Sequence, residues 1–265
     1  MKRIITIIIV ILMALTLAGC DPEETITQLE QDHVTTVEDG LSSYETYRTY
    51  VNTLSSDVLR SAVLVYNFVG QSQDSSTGSG VIFMEDETHY YALTNHHVIY
   101  VEEGQSQSVR VHDHMGNIYA ATVLFKSNLY DLAVIRFQKD STALRLVTFA
   151  DQNAPLGDFV SVIGYPARQI NAITLGDVVG YEPIELTQSD PDIVDIAFDV
   201  MAMDAPVKGG SSGSMVVDTS FNLVGILFAG TREGAEFTRS YAVPIEKVIE
   251  FLDTTGLLDG GGDDA

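Results

Sequence analysis

From Ser61 onward, apolar residues come in short β-branched runs separated by turn signals. The runs are Ala62 to Val69, Gly80 to Met84, Tyr90 to Thr94, Ser108 to His112, Ile118 to Lys126, Leu132 to Phe137, Phe159 to Gly164, Val194 to Phe198, Ser214 to Val217 and Leu223 to Phe228. Runs of this length predict strands, and many strands with few helices predict an all-β barrel or sandwich. One helix stands out near the end, where Pro244 opens a segment to Leu252 with apolar residues at 245, 248, 249 and 252 on one side. Residues 256–265 read as a disordered Gly/Asp tail.

The pattern ahead of the strands is different. Residues 21–57 hold many carboxylates, yet Val34, Val37, Leu41, Tyr44, Val51 and Val58 fall at steps of three and four or their sums. This predicts an acidic tether that is either an amphipathic helix or a flexible spacer. A helical face would suit docking on the following domain or pairing with copies of itself, with Tyr44, Tyr47 and Tyr50 supplying area.

Residues 1–20 have the pattern of an export signal. Lys2-Arg3 precede an apolar run from Ile4 to Ala18, which is too short to span a bilayer comfortably. Its end, Leu17-Ala18-Gly19-Cys20, resembles the lipobox of bacterial lipoproteins. The resemblance implies cleavage before Cys20 and a lipid on that cysteine, with the domain in the cell envelope on the extracytoplasmic side. Asp21 resembles the signal that retains lipoproteins in the inner membrane of Gram-negative cells, so that membrane is expected if the source is Gram-negative.

Cys20 is the sole cysteine, which excludes an intramolecular disulfide, a zinc ribbon and a thiol nucleophile. The formal net charge of −23 opposes binding to nucleic acid phosphates and anionic headgroups, so nucleic acid is not an expected partner and the lipid, not charge, holds the chain at a membrane.

Candidate chemistry lies in three blocks. Ser212 sits between Gly210 and Gly213, which let the backbone turn sharply and aim the Gly210 and Ser212 amides at one spot. His97 ends the apolar run Tyr90 to Thr94, and Asp131 opens the run Leu132 to Ile135, positions where an imidazole and a carboxylate can be held at a cleft. The order His, Asp, Ser is one of the convergent orders of the serine-protease triad.

The blocks Ala92-Leu93-Thr94-Asn95-His96-His97-Val98-Ile99, Asp131-Leu132-Ala133-Val134-Ile135 and Asp204-Ala205-Pro206-Val207-Lys208-Gly209-Gly210-Ser211-Ser212-Gly213-Ser214 resemble the catalytic blocks of trypsin-like serine proteases, nearest the bacterial HtrA/Deg family. The resemblance covers about residues 60–252, including Gly225-Ile226-Leu227 and Tyr241-Ala242-Val243-Pro244. It implies two six-stranded β-barrels over residues 58–255, with His97 and Asp131 from the first and Ser212 from the second. His97 would be general base and acid, Asp131 would orient it, Ser212 would attack, and the Gly210 and Ser212 amides would form the oxyanion hole. Phe228, Ala229 and Gly230 would line the primary pocket, with Pro206 where cleavage after Lys or Arg would want a carboxylate; small or medium apolar residues are therefore expected at the cleaved position. Substrates would be exported or misfolded proteins, no cofactor or metal is implied, and the resemblance allows a homotrimer through the tyrosines of the tether.

This sequence departs from the family pattern in four places. His96 stands where the family has a small polar residue. Ser211, not aspartate, precedes the nucleophile, so activation by a freed N-terminus is not expected. Gly213-Ser214 replaces Gly-Gly-Pro. The chain runs only to Ala265 beyond the last helix, so regulation through a PDZ domain is not expected. The loop from Gly176 to Pro191 is expected to govern the oxyanion hole.

Three other readings compete. Gly209 to Gly213 also fits Gly-x-Ser-x-Gly with Ser211 as nucleophile, but an α/β-hydrolase needs a later histidine and none follows. His112-Asp113-His114 precedes the turn Met115-Gly116-Asn117 and reads as a hairpin tip, not a metal site. A protease-fold module that binds peptides without cleaving them remains the alternative from another functional class.

Overall fold

The computed structural model describes residues 22–70, 75–140, 144–166, 172–184, 193–233 and 236–258. Residues 1–20, expected to be an export signal ending at Cys20, and the tail beyond Leu258 lie outside the described residues. Contacts divide the chain after Asn52. Residues Pro22–Ser56 form one helix, α1, on which Val34, Leu41, Tyr44 and Tyr47 are exposed. Among the described residues, no helix is long and apolar enough to cross a membrane.

Among the described residues, the unit that follows holds thirteen strands. The first six are β1 (Ala62–Val69), β2 (Ser75–Glu85), β3 (His89–Thr94), β4 (Gln107–His112), β5 (Ile118–Ser127) and β6 (Leu132–Gln138). They close antiparallel in the order β1-β2-β3-β6-β5-β4. The two-residue period is plain in β4, where buried Val109 and Val111 alternate with exposed Ser108 and Arg110. Val63, Val65, Ile82, Ala92, Ile135 and Phe137 belong to this barrel's core.

The second barrel comprises β8 (Phe159–Gly164), β9 (Ala172–Glu182), β10 (Val200–Met203), β11 (Met215–Val217), β12 (Asn222–Glu233) and β13 (Glu236–Pro244). The ladder runs β11-β8-β9-β10-β13-β12 and closes through β11 and β12, while the short β7 (Thr148–Phe149) adds parallel to β12. Val160, Val162, Met201, Val216, Val224 and Leu227 lie in its core. The architecture is thus two closed six-stranded barrels and a C-terminal helix, as the strand pattern and the family resemblance together implied.

Some elements differ from expectation. Val194 to Phe198 is not a strand. Its apolar residues anchor a loop instead: Val194 is buried, Phe198 packs on Tyr130 with centroids 5.9 Å apart, and the Asp195 amide bonds Asn128 O at 2.9 Å. The strand of that region is β10, which starts two residues after Phe198, and β9 covers residues 176–182 of the segment expected to be a loop from Gly176 to Pro191.

The final helix, α2 (Ile245–Thr255), has Pro244 as N-cap and Gly256 as a left-handed C-cap at φ +70°. It buries Ile245, Val248, Phe251 and Leu252. Phe251 meets the Tyr130 ring at 5.8 Å, and the Tyr130 hydroxyl donates to Glu250 Oε1 at 2.7 Å. The helix therefore holds the turn that precedes β6, where Asp131 sits. Phe251→Ala should cost about 3 to 5 kcal/mol of unfolding free energy, read by urea denaturation, because a fully buried aromatic leaves a cavity that the closed barrels cannot collapse around.

Candidate active site

Asp131 lies at the entrance to β6 with φ +48°, in the left-handed region that aspartate tolerates better than most residues. Its backbone is held on both sides: its amide donates to Asn128 O at 3.3 Å, and its carbonyl accepts Asn95 Nδ2 at 2.9 Å. This conformation turns the side chain under His97. The carboxylate is fully buried, takes the His97 amide on Oδ1 at 2.9 Å, and meets His97 Nδ1 through Oδ2 at 2.7 Å. A carboxylate can only accept, so Nδ1 carries the proton and Nε2 is left with a lone pair. The imidazole is 28% exposed, enough for Nε2 to face a cleft while the other edge is fixed.

His96 is separate from this pair. It is buried, its Nδ1 lies 2.8 Å from Ile193 O, and its ring meets Tyr100 edge-on at 5.8 Å. It ties the loop that enters β10 to the first barrel.

Ser212 lies on the loop before β11. Gly210 and Gly213 have φ of +88° and +85°, and a Cβ at Gly213 would stand 1.9 Å from Ser79 O, so only glycine fits there. The Ser211 amide bonds Lys208 O at 3.1 Å, closing a turn whose third residue is Gly210 with positive φ, as a type II turn requires. Among the described residues, the Gly210 and Ser212 amides have no protein acceptor, and the Ser212 hydroxyl donates to Phe228 O at 3.4 Å, not to His97.

A cavity of about 170 Å³ opens beside Ser212, with Leu227, Phe228, Ala229, Gly230 and Phe237 in its walls. Gly230 leaves it open, since a Cβ there would meet Val207 Cγ2 at 2.5 Å. Pro206 lines a neighbouring cavity of about 290 Å³ with Val162, Pro166 and Thr174, and not the one at Ser212. Val207, Lys208, Ser211 and Phe237 border both cavities. Phe237 was not singled out in the sequence, though it stands across the β12–β13 ladder from Arg232, two residues past Gly230.

The His112-Asp113-His114 segment is a hairpin tip. Asp113 is buried and accepts from the Met115 and Asn117 amides, Asn117 Nδ2 and the Tyr119 hydroxyl, while the His112 ring packs at a tilt against Tyr66.

A histidine held by a buried carboxylate on one barrel, together with a glycine-flanked serine on the other, is the pattern of a recognisable class. The chain belongs to the trypsin-like peptidase family, whose domain profile matches residues 78–226. It is 27% identical over 195 residues to the serine protease HtrA-like protein of Staphylococcus aureus strain bovine RF122 / ET3-1, covering 71% of this chain and 25% of that protein. The counterpart in strain USA300 is 26% identical over 197 residues with the same coverages. The chain thus spans about a quarter of the length of the curated relatives it matches. Among solved structures, the active form of the Rv3671c protease from M. tuberculosis superposes with a TM-score of 0.63 at 23% identity, covering 77% of this chain and 86% of that one. A serine endoprotease from Yersinia pestis gives 0.58 at 25% identity, covering 78% and 65%.

Burial pushes the His96 pKa below its ordinary 6.5, opposed in part by the Ile193 carbonyl and Asp131 and aided by Lys126 and His97; burial lowers His112 as well. In the window just below 6.5 the unfolded chain therefore binds more protons than the folded one. Stability should be level above that window and fall as pH drops through it, and His96→Asn should flatten the slope in urea titrations across pH.

Proposed function

We propose that the chain is a serine endopeptidase in which His97, Asp131 and Ser212 act as one unit. The observation that carries this reading is the 2.7 Å contact between His97 Nδ1 and Asp131 Oδ2, which leaves Nε2 as the free base. Rotation of the Ser212 hydroxyl away from Phe228 O would bring it to that base. Nε2 then takes the hydroxyl proton as Oγ attacks the scissile carbonyl, and the Gly210 and Ser212 amides receive the charge that forms on the carbonyl oxygen. Collapse passes the proton from Nε2 to the leaving amine and leaves an acyl group on Ser212. Water, deprotonated by the same imidazole, hydrolyses that ester and frees the serine.

The cavity walled by Leu227, Phe228, Ala229 and Gly230 supports entry of small or medium apolar side chains at the cleaved position. Substrates on this reading are exported or misfolded proteins, met on the extracytoplasmic side of a membrane.

The resting contact of Ser212 with Phe228 O favours one rival, a peptide-binding module that does not cleave. Labelling of the folded protein with a fluorophosphonate separates the two, because only an activated serine reacts. Ser212→Ala, His97→Ala and Asp131→Ala should each lower turnover by about 10⁴ to 10⁶ in a casein assay, and double variants should lose little more. Unlabelled, folded wild type, or an active Ser212→Ala, would refute the peptidase reading.

The lipid anchor belongs to the same proposal and is supported by Leu17-Ala18-Gly19-Cys20 in a chain without another cysteine. Lipidation contributes about 0.8 kcal/mol per buried CH₂, and two or more acyl chains make attachment stable. Cys20→Ala should move the protein out of the membrane fraction and abolish incorporation of labelled fatty acid; retention in the membrane at the same processed mass is the contrary result.

A further inference from the structure

Ser79, on β2 of the first barrel, is fully buried and lies directly beneath the Ser212 loop of the second. Its hydroxyl is engaged to its full capacity. It accepts from the Tyr165 amide at 2.9 Å and from the Ser214 hydroxyl at 3.2 Å, and it donates to Gly210 O at 3.2 Å. Its amide donates to Ser212 O at 2.6 Å. We propose that Ser79 is a positioning residue whose hydroxyl sets the orientation of the two amides that bind the oxyanion. The inference rests on the peptidase reading above.

The plane joining Gly210 to Ser211 is held at both ends, its oxygen by Ser79 Oγ and its N–H by Lys208 O. The plane joining Ser212 to Gly213 is held in the same way, its oxygen by the Ser79 amide and its N–H by Leu227 O at 2.8 Å. The planes that carry the Gly210 and Ser212 amides are the alternate ones. Ser79 thus fixes a plane next to each donor, one through its side chain and one through its backbone. Any residue supplies the backbone bond, but only a hydroxyl accepts two hydrogen bonds and donates a third at this spot. Preorganised donors stabilise a forming oxyanion because they need not reorient during the reaction, so loosening one plane reduces that stabilisation.

Gly164 keeps the site clear, since a Cβ there would stand 2.7 Å from Ser79 Oγ and 1.9 Å from Ser214 Oγ. Among the described residues, no hydrogen bond of Ser79 reaches His97 or Asp131, so its loss should leave the base unaltered.

The test compares Ser79→Ala and Ser79→Cys with the wild-type full chain, using fluorophosphonate labelling and steady-state cleavage of a peptide across pH. Ser79→Ala should lower kcat and the labelling rate by about 100-fold, the effect of losing one oxyanion donor. KM should change by less than about twofold, and the pH midpoint of kcat/KM should stay in place, because the interaction is made in the transition state and the imidazole pair is intact. Ser79→Cys, which fills the same space with a weak donor, should fold and show the same split, so it serves if the alanine variant does not fold. Folded variants that react at wild-type rates, that raise KM with kcat intact, or that shift the pH midpoint would overturn the assignment of Ser79 alone. A folded wild type that takes no label defeats the peptidase reading beneath it.

Discussion

The two barrels are joined at their working end by the hydrogen bond from the Ser79 amide to the Ser212 carbonyl, and the geometry of the site depends on that join. Each barrel has its own closed ladder and its own core, so neither needs the other to satisfy its backbone. The site does need both. His97 and Asp131 are placed by β3 and β6, Ser212 by the loop before β11, and the distance between them is set by how tightly the barrels meet. The seam leaves no room for a side chain at its two glycines: a Cβ at Gly213 would meet the Ser79 carbonyl, and one at Gly164 the Ser79 hydroxyl. Tyr165 seals it from the second barrel, buried, with its hydroxyl 3.4 Å from Ala62 O and its phenol pKa raised by that burial. Close backbone approach, not apolar area, fixes the alignment here, which is why small residues collect at this boundary.

The acid of the site is also positioned by a mildly strained backbone. A non-glycine residue at φ +48° persists only when its surroundings over-determine it. Asp131 has such surroundings in the Asn95 amide group, the Asn128 carbonyl and the two donors of His97. Among the described residues, Asn95 Oδ1 is buried without a protein partner, and the bond to Asp131 O is the one its side chain makes.

Much of the first barrel was legible in the sequence because β1, β3 and β6 are near-continuous buried apolar runs rich in Val, Ile and aromatic residues, while β4 alternates. The second barrel was less so. The β9 strand carries Gly176, Asp177 and Gly180 and is mostly half-buried, β10 is four residues bounded by Asp199 and Asp204, and β13 interleaves Thr238, Arg239 and Ser240 with its apolar positions. The burial of such strands is decided by neighbours far along the chain, which local periodicity does not record. Likewise, the candidate triad was readable from residue types and glycine spacing, whereas the role of Ser79 was not. Gly78-Ser79-Gly80 marks a place where something approaches closely, but the approaching group is Gly210, 131 residues away.

The C-terminal helix adds an order of events. Asp131 belongs to the first half of the chain, yet the neighbouring Tyr130 ring rests on Phe251, and its hydroxyl on Glu250, in the last helix. A chain made from its N-terminus completes the described strands of both barrels before that helix exists. The turn bearing the acid is therefore the part of the site whose support arrives last. Ser212 is therefore in place before the turn bearing Asp131 is braced, and the two halves of the candidate site do not mature together.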